Sequence, residues 1–163
     1  MLLFLSTYIN KIDKKGRVSV PAPFRSELER GQSNSFIVFP NPEQSCIDAW
    51  DRDRIGRYAR DRDGFDPDSP EYATVSHVLL NSRSVTFDGE GRVSLPDDMI
   101  DNIGIDDEVV FAGLGETFQI WSPAQFEAYT AQSQQTIDTS PRRIRISPST
   151  GPASSGTDGD RNG

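Results

Sequence analysis

The sequence contains few of the residues from which catalytic and metal centres are built. Its 163 residues include one cysteine, Cys46, and one histidine, His77. A single thiol excludes an intramolecular disulfide and a cysteine-based zinc cluster, so we interpret Cys46 as a small core residue. His77 lies in an apolar run, residues 75–79, that is typical of a strand, so we favour a core or strand-edge position over a general base. We predict a protein that is not an enzyme and has no catalytic residue, metal or cofactor.

Long apolar runs are also missing. No run approaches the roughly 20 residues that are needed to cross a bilayer. Residues 1–5 are apolar, but no basic residue precedes them, and Asn10, Lys11 and Asp13 follow too soon for a signal peptide. We interpret residues 1–5 as a strand and expect a soluble, cytoplasmic protein without a membrane partner.

Positive charge is scarce as well, and it is unevenly distributed. The net charge of −8 argues against a generic nucleic-acid binder, because phosphate contacts depend on lysine and arginine. The balance is +3 in residues 1–40, −3 in 41–70, −9 in 71–132 and +1 from 133 onward. The acidity therefore belongs to the second half of the chain.

What the sequence does contain is an internal repeat. Residues 13–21 read Asp-Lys-Lys-Gly-Arg-Val-Ser-Val-Pro, and residues 88–96 read Asp-Gly-Glu-Gly-Arg-Val-Ser-Leu-Pro. Six of the nine positions are identical at a constant offset of 75. The chain is therefore predicted to hold two copies of one small unit.

Strand and helix signals follow each copy in the same order. Residues 35–39 and 46–50 are apolar and β-branched like buried strands, and 108–112 and 117–121 are their counterparts. A good helix N-cap comes directly after each second strand. These caps are Asp51 and Ser122. Each unit is predicted to run strand, loop, strand, short helix, strand, strand, helix.

Composition suggests where the units begin and end. Residues 61–70 are rich in Asp, Pro and Gly, which predicts a linker between a first unit at 1–60 and a second at 71–132. From residue 133 onward the chain is rich in Ser, Thr, Pro, Gly and Arg, with few large apolar groups. We expect 133–163 to be a disordered tail.

The repeated loop has a simple chemistry. Gly16 permits a positive φ angle, and Asp13 can accept hydrogen bonds from backbone N–H groups two residues further on. Arg17 lies at the start of a predicted strand, where its guanidinium can donate to the aspartate, to a phosphate or to the O6/N7 edge of guanine. The matching residues of the second loop are Asp88, Gly91 and Arg92. In a single loop, the Asp–Arg pair is compatible with a purely structural role in stabilising the turn. Two aligned copies in one chain favour a binding function.

The paired Asp-x-x-Gly-Arg loops, with Phe24-Arg25 after the first and Trp121 closing the second unit, resemble the MraZ family of bacterial transcription regulators. That family is itself similar to the swapped-hairpin DNA-binding domains of the AbrB and SpoVT type. The similarity runs from about residue 2 to residue 130. It implies an α+β, mainly β fold, in which two AbrB-like repeats interlock in one β-barrel with flanking short helices.

The resemblance also implies a function. Members assemble into homo-oligomeric rings and repress transcription through direct repeats upstream of the division and cell-wall gene cluster. The partner implied here is double-stranded operator DNA, and the location is the nucleoid. The family's basic loop positions match Lys14, Lys15 and Arg17 in the first repeat and Arg92 in the second.

The two loops are not equally basic, because Gly89 and Glu90 stand where the first loop has its lysines. We therefore expect the first loop to supply most of the attraction for phosphate, and the acidic remainder to face away from DNA. Two alternatives stay open: an antitoxin that presents an inhibitory tail, and a ring-forming structural protein that does not bind DNA. Antitoxins of this type usually carry one loop unit per chain, whereas this chain contains both.

Overall fold

Eight strands and five helices make up residues 1–140, the part of the chain that the computed structural model describes. The first half contains β1 (Thr7–Lys11), β2 (Arg17–Ser19), α1 (Ala22–Arg30), β3 (Ser35–Pro40), β4 (Ile47–Trp50) and α2 (Arg52–Arg62). An additional helix, α3 (Pro70–Leu80), comes next. The second half contains β5 (Arg83–Thr86), β6 (Arg92–Ser94), α4 (Asp97–Ile103), β7 (Glu108–Gly113), β8 (Phe118–Trp121) and α5 (Pro123–Thr139). Apart from α3, both halves follow the predicted order of elements.

Each half gives its first strand to the other half. The large sheet has the strand order β1-β7-β8-β4-β3-β5, and every neighbouring pair is antiparallel. β1 pairs with β7, from Thr7 opposite Ala112 to Lys11 opposite Glu108. In the same way, β5 of the second half pairs with β3 of the first. The two halves are therefore interlocked, and they meet at the centre where β4 lies beside β8.

A second, smaller sheet joins the halves again. β2 and β6 form a two-stranded antiparallel ribbon, with Val18 and Val93 facing each other at its centre. Both valines are only 1% exposed. The ribbon contacts both edge strands of the large sheet, β1 and β5. Within residues 1–140 no hydrogen-bonded ladder joins β1 directly to β5, so the large sheet is open.

The large sheet has two faces with different contacts, as expected from the period of two in a strand. Its inner face is apolar and packs against the ribbon and helices α1 and α4. The buried inner residues are Phe36, Val38, Ile47, Ala49, Val109, Phe111, Phe118 and Ile120. On the outer face, Tyr58 of α2 packs on Trp50, and Tyr129 of α5 packs on Trp121. The ribbon with its two loops and the helices α2 and α5 therefore lie on opposite sides of the large sheet.

A buried polar group lies where the two halves meet. Gln119 Nε2 donates to Asp48 Oδ1 across the β4–β8 pair at 3.0 Å, and Asn41 Nδ2 donates to Oδ2 at 2.7 Å. Burial raises the pKa of the Asp48 carboxyl, and these two hydrogen bonds act against that rise. The carboxyl group therefore has partners for both oxygens in the middle of the sheet.

Residues 75–79, predicted to be strand-like, lie within helix α3, so that prediction is wrong. Ser69 caps the helix by accepting from the backbone N–H of Tyr72, and Pro70 occupies its first position. Val75 and Val78, three residues apart, form its buried face. His77 is exposed on this helix, which corrects its predicted core or strand-edge position.

The boundaries also differ from the predicted ones. Helix α5 continues through Thr139, so residues 133–139 are helical rather than part of a disordered tail. The helix ends just before Pro141, and no glycine or proline interrupts it earlier. Residues 1–5 form only one bridge, between Phe4 and Gly115, instead of a strand. The remainder of the predicted tail, from residue 141, lies outside the described residues.

The predicted linker is shorter in the structure. Helix α2 extends through Arg62 and α3 begins at Pro70, which leaves residues 63–69 as the connection.

None of the helices in residues 1–140 has the length and apolar character that a membrane span requires.

An aromatic cluster under the ribbon gives a test of the core. The Phe118 ring lies 4.9 Å from Phe4, 5.0 Å from Phe24 and 5.2 Å from Phe36, measured between centroids. Phe118→Ala should therefore lower the free energy of unfolding by about 3–5 kcal/mol in urea denaturation, because it opens a cavity in a close-packed core. Leu80→Ala, at a position that is 84% exposed at the end of α3, is the control and should change it by under about 0.5 kcal/mol. Equal losses would contradict this assignment of the core.

Candidate nucleic-acid interface

The first loop connects β1 to β2 and is organised by one carboxylate. Asp13 Oδ1 accepts from the backbone N–H groups of Lys15 and Arg17, each at 2.9 Å. Asp13 Oδ2 accepts from Arg17 Nε at 2.7 Å. This hydrogen bond fixes the position of the Arg17 guanidinium. Gly16 closes the turn at φ 79°, a conformation that favours glycine.

The second loop repeats this geometry atom for atom. Asp88 Oδ1 accepts from the N–H groups of Glu90 at 2.8 Å and Arg92 at 3.0 Å, and Oδ2 accepts from Arg92 Nε at 3.0 Å. Gly91 has φ 76°. The two backbones are therefore equivalent, and any difference between the loops comes from their side chains.

Both carboxyl groups have a pKa below the ordinary aspartate value of 3.8. For Asp13 the largest cause is the backbone N–H of Arg17, and for Asp88 it is the backbone N–H of Arg92; partial desolvation opposes both. Because the folded protein favours the ionised form, the resulting stabilisation is complete above about pH 3.8. It is lost as the pH falls through the lower pKa of the folded state.

The ribbon brings the two loop arginines onto one surface. Arg17 is opposite Ser94, and Ser19 is opposite Arg92. Side chains that face each other in a ladder, and those two apart on a strand, lie on the same side. The four residues therefore form a single polar face, partly or fully exposed, while the valines between them are buried on the other side.

Ser19 and Ser94 were missed as candidate site residues. The signal was present in the sequence, since both copies contain Arg-x-Ser at a spacing of two. That spacing puts the serine on the same face of a strand as the arginine. What the sequence alone did not show is that β2 pairs with β6, which makes one four-residue face from two separate motifs.

The side chains make the loops chemically different. Lys14 and Lys15 are exposed and form no ion pair in the part of the chain described, and Arg17 pairs only with Asp13. In the second loop, Arg92 also lies 3.5 Å from a carboxylate oxygen of Glu90. Within residues 1–140 the first loop thus has the larger share of uncompensated positive charge.

The acidic half does not face entirely away from this surface, which corrects the expectation stated above. Asp97, Asp101 and Asp106 line the same concavity of about 360 Å³ as Lys14 and Gly16 of the first loop. The reason is the exchange between the halves, since α4 follows β6 and so comes to lie beside the loop before β2. No group of three His, Cys, Asp or Glu side chains in residues 1–140 is placed to hold a metal ion.

Comparison with known proteins gives one family model and several curated relatives. The family model described as "MraZ protein, putative antitoxin-like" matches residues 78–145, which include the second loop. Among curated proteins, "Transcriptional regulator MraZ" of Pelagibacter ubique (strain HTCC1062) is 42% identical over 135 residues, covering 82% of this chain and 86% of that protein.

Two further relatives have the same name. The one from Rhodospirillum rubrum is 39% identical over 128 residues, covering 77% of this chain and 83% of that protein. The one from Rickettsia bellii (strain OSU 85-389) is 39% identical over 137 residues, covering 83% and 91%. Each of these alignments is longer than either of the two repeats.

The loop geometry makes a prediction about carboxyl titration by NMR. Arg17→Ala should leave the pKa of Asp13 below 3.8, because the largest cause is a backbone N–H that the substitution retains. Gly16→Ala should bring it back towards 3.8, because a Cβ there is strained at φ 79° and lies 3.0 Å from Leu95 O. An ordinary pKa in Arg17→Ala would mean that the guanidinium, and not the backbone, holds the carboxylate.

Proposed function

Because this chain belongs to the MraZ family, we propose that it is a DNA-binding transcriptional regulator that contacts DNA through the β2–β6 ribbon and its two loops. The observation that carries the proposal is the single exposed face formed by two arginines and two serines. These are Arg17, Ser19, Arg92 and Ser94. Relatives that cover most of the chain are named as transcriptional regulators, so an enzyme is not proposed.

The ribbon has a suitable shape for DNA. The major groove of B-DNA is about 12 Å wide and admits a two-stranded ribbon. Asp13 and Asp88 each hold an arginine through Nε. The terminal nitrogens of Arg17 make no ion pair within residues 1–140, whereas Arg92 Nη2 lies 3.5 Å from Glu90 Oε2. Two parallel N–H groups match the O6/N7 edge of guanine or two oxygens of a phosphate. The aspartates thus act as positioning residues that reduce the entropy lost on binding.

The lysines have a different part in this proposal. Lys14 and Lys15 are exposed at the tip of the first loop, next to the ribbon face. Flexible ammonium groups suit the phosphate backbone, which supplies affinity and register rather than sequence information. We propose that Lys14, Lys15 and Arg17 form the primary contact and that Arg92 contributes from the second loop.

Assembly resolves the conflict between DNA binding and a net charge of −8. One protomer offers few cationic side chains, whereas several protomers with their ribbons along one face add their contacts through effective concentration. Direct repeats in an operator suit such a homo-oligomer. In this proposal a ring of subunits occupies the operator of its own division and cell-wall gene cluster and represses it, in the cytoplasm at the nucleoid.

We propose a closed arrangement of the fold as well. Two AbrB-like repeats, at 1–60 and 71–132, would share one β-barrel that the ribbon completes between the open edges β1 and β5. Contacts of β2 with β1 and of β6 with β5 support this arrangement. An antitoxin is less well supported. Antitoxins of this type usually carry one loop unit per chain and form the barrel from two chains, whereas this chain contains both units.

The salt dependence of binding tests the proposed contacts. Lys14→Ala, Lys15→Ala and Arg17→Ala should each weaken binding to a duplex from upstream of the protein's own gene. Each lost phosphate contact should flatten the slope of log K against log salt by about one unit. Arg92→Ala should have a smaller effect, because Glu90 already offsets part of its charge. Fluorescence anisotropy across a salt series measures these slopes.

Three results would count against the proposal. If the wild-type chain gives no gel shift at low salt, the regulator function is wrong. If Arg92→Ala matters as much as Arg17→Ala while both lysine variants are silent, the proposed inequality of the loops is wrong. If light scattering gives a monomer both with and without DNA, assembly on direct repeats is wrong.

A further inference from the structure

Arg25 lies in the first half of the chain but stands beside the loop of the second half. It is one turn into α1, which follows β2 almost directly. Because β2 is antiparallel to β6, the end of β2 is next to the start of β6, and Val20 N–H donates to Gly91 O at 3.3 Å. The exchange of strands therefore carries the first turn of α1 to the second loop and away from its own.

The contact between Arg25 and this loop is close. A Cβ added to Gly91 would lie 2.8 Å from Arg25 Cζ and 3.0 Å from Cδ, and nearer still to Nη1. The guanidinium thus rests on the bare backbone of Gly91. The positive φ favours glycine at position 91, and a Cβ there would also displace the Arg25 side chain.

No acid neutralises Arg25 within residues 1–140. None of the ion pairs within 4.0 Å in that region includes it, although Glu29, Asp88 and Glu90 line the same concavity. Asp88 and Glu90 pair with Arg92 instead. Arg25 Nε is buried and has no hydrogen-bond partner in the described part of the chain. The side chain as a whole is half-buried, and its part that reaches the surface, without an ion-pair partner, is suited to an external anion.

The equivalent place at the first loop is built differently. Ile100, at the offset of 75, packs on Gly16, where a Cβ would lie 3.0 Å from Ile100 Cδ1. The first loop therefore has lysines at its tip, and the apolar side chain of Ile100 packs on its glycine. The second loop has no basic residue at its tip, and the guanidinium of Arg25 packs on its glycine.

We propose that Arg25 is a further DNA-contacting residue, which the first repeat supplies to the second loop to bind a backbone phosphate. This inference rests on the proposed function. It makes the second contact a composite of Arg25 and Arg92 from different repeats. The positive charge missing from the tip at Gly89 and Glu90 is thereby replaced from the other half of the chain.

The test compares Arg25→Gln with Arg60→Gln in the full chain. Both changes remove one arginine charge, but Arg60 is exposed on α2, on the far side of the sheet from the ribbon. Anisotropy with a labelled upstream duplex should give a slope against log salt that is flatter by about one unit per engaged protomer for Arg25→Gln only. That corresponds to roughly tenfold weaker binding near 0.1 M salt for one lost contact. Arg25→Lys, which keeps the charge, should restore most of the slope.

A random-sequence duplex of the same length separates phosphate binding from base reading. A lost phosphate contact should weaken binding to both duplexes alike. An effect confined to the upstream duplex would overturn the phosphate assignment. Thermal unfolding checks that each variant folds; if Arg25→Gln does not, Arg25→Ile, which copies the residue at position 100, takes its place.

The outcomes distinguish this inference from the function on which it rests. If the wild type binds, Arg17→Ala weakens binding, and the Arg25 variants keep the slope of Arg60→Gln, then Arg25 only packs on Gly91 and the inference is wrong. If the wild type itself fails to bind the upstream duplex at low salt, the proposed function is wrong.

Discussion

The antiparallel pairing of β2 with β6 is the constraint on which the rest of this structure depends. It places Val18 against Val93 in the core and turns the arginines of both loops to the same exposed side. The exchange of first strands accompanies this pairing, since β1 leads into β2 and pairs with β7, and β5 leads into β6 and pairs with β3. A short ladder of three residue pairs thus joins the two repeats at the site, and the exchanged strands join them in the six-stranded sheet.

The exchange also decides the electrostatics of the surface. Each loop is covered by a helix from the opposite repeat, so the charges of the two halves are mixed at the site. Acidic α4 lies beside the basic first loop, and Arg25 lies on the more acidic second loop. The strong difference between the halves along the sequence is therefore reduced where DNA binding is proposed. A charge count along the chain overstates the difference between the loops.

Sequence reasoning worked where the information is local. The order of strands and helices around each tryptophan follows from apolar spacing, and the structure has the same order. Of the two predicted N-caps, Ser122 accepts from the backbone N–H of Gln125, whereas the Asp51 side chain makes no capping hydrogen bond. The strand prediction for residues 75–79 was wrong, because a short apolar run fits both a strand and a buried helix face, and here Ser69 caps a helix. The predicted tail began too early, since Ala and Gln are good helix formers even where few apolar groups are present.

By itself, the sequence determined the repeat, the loop chemistry and the residues Asp13, Gly16 and Arg17 with their counterparts, because a turn carboxylate and a positive-φ glycine act over four residues. Only the tertiary structure decided that Ser19 and Ser94 join the arginines on one face, and that Arg25 belongs to the second loop. Those relations depend on which strand pairs with which, and pairing across about 75 residues is set by burial of the shared core rather than by any local preference.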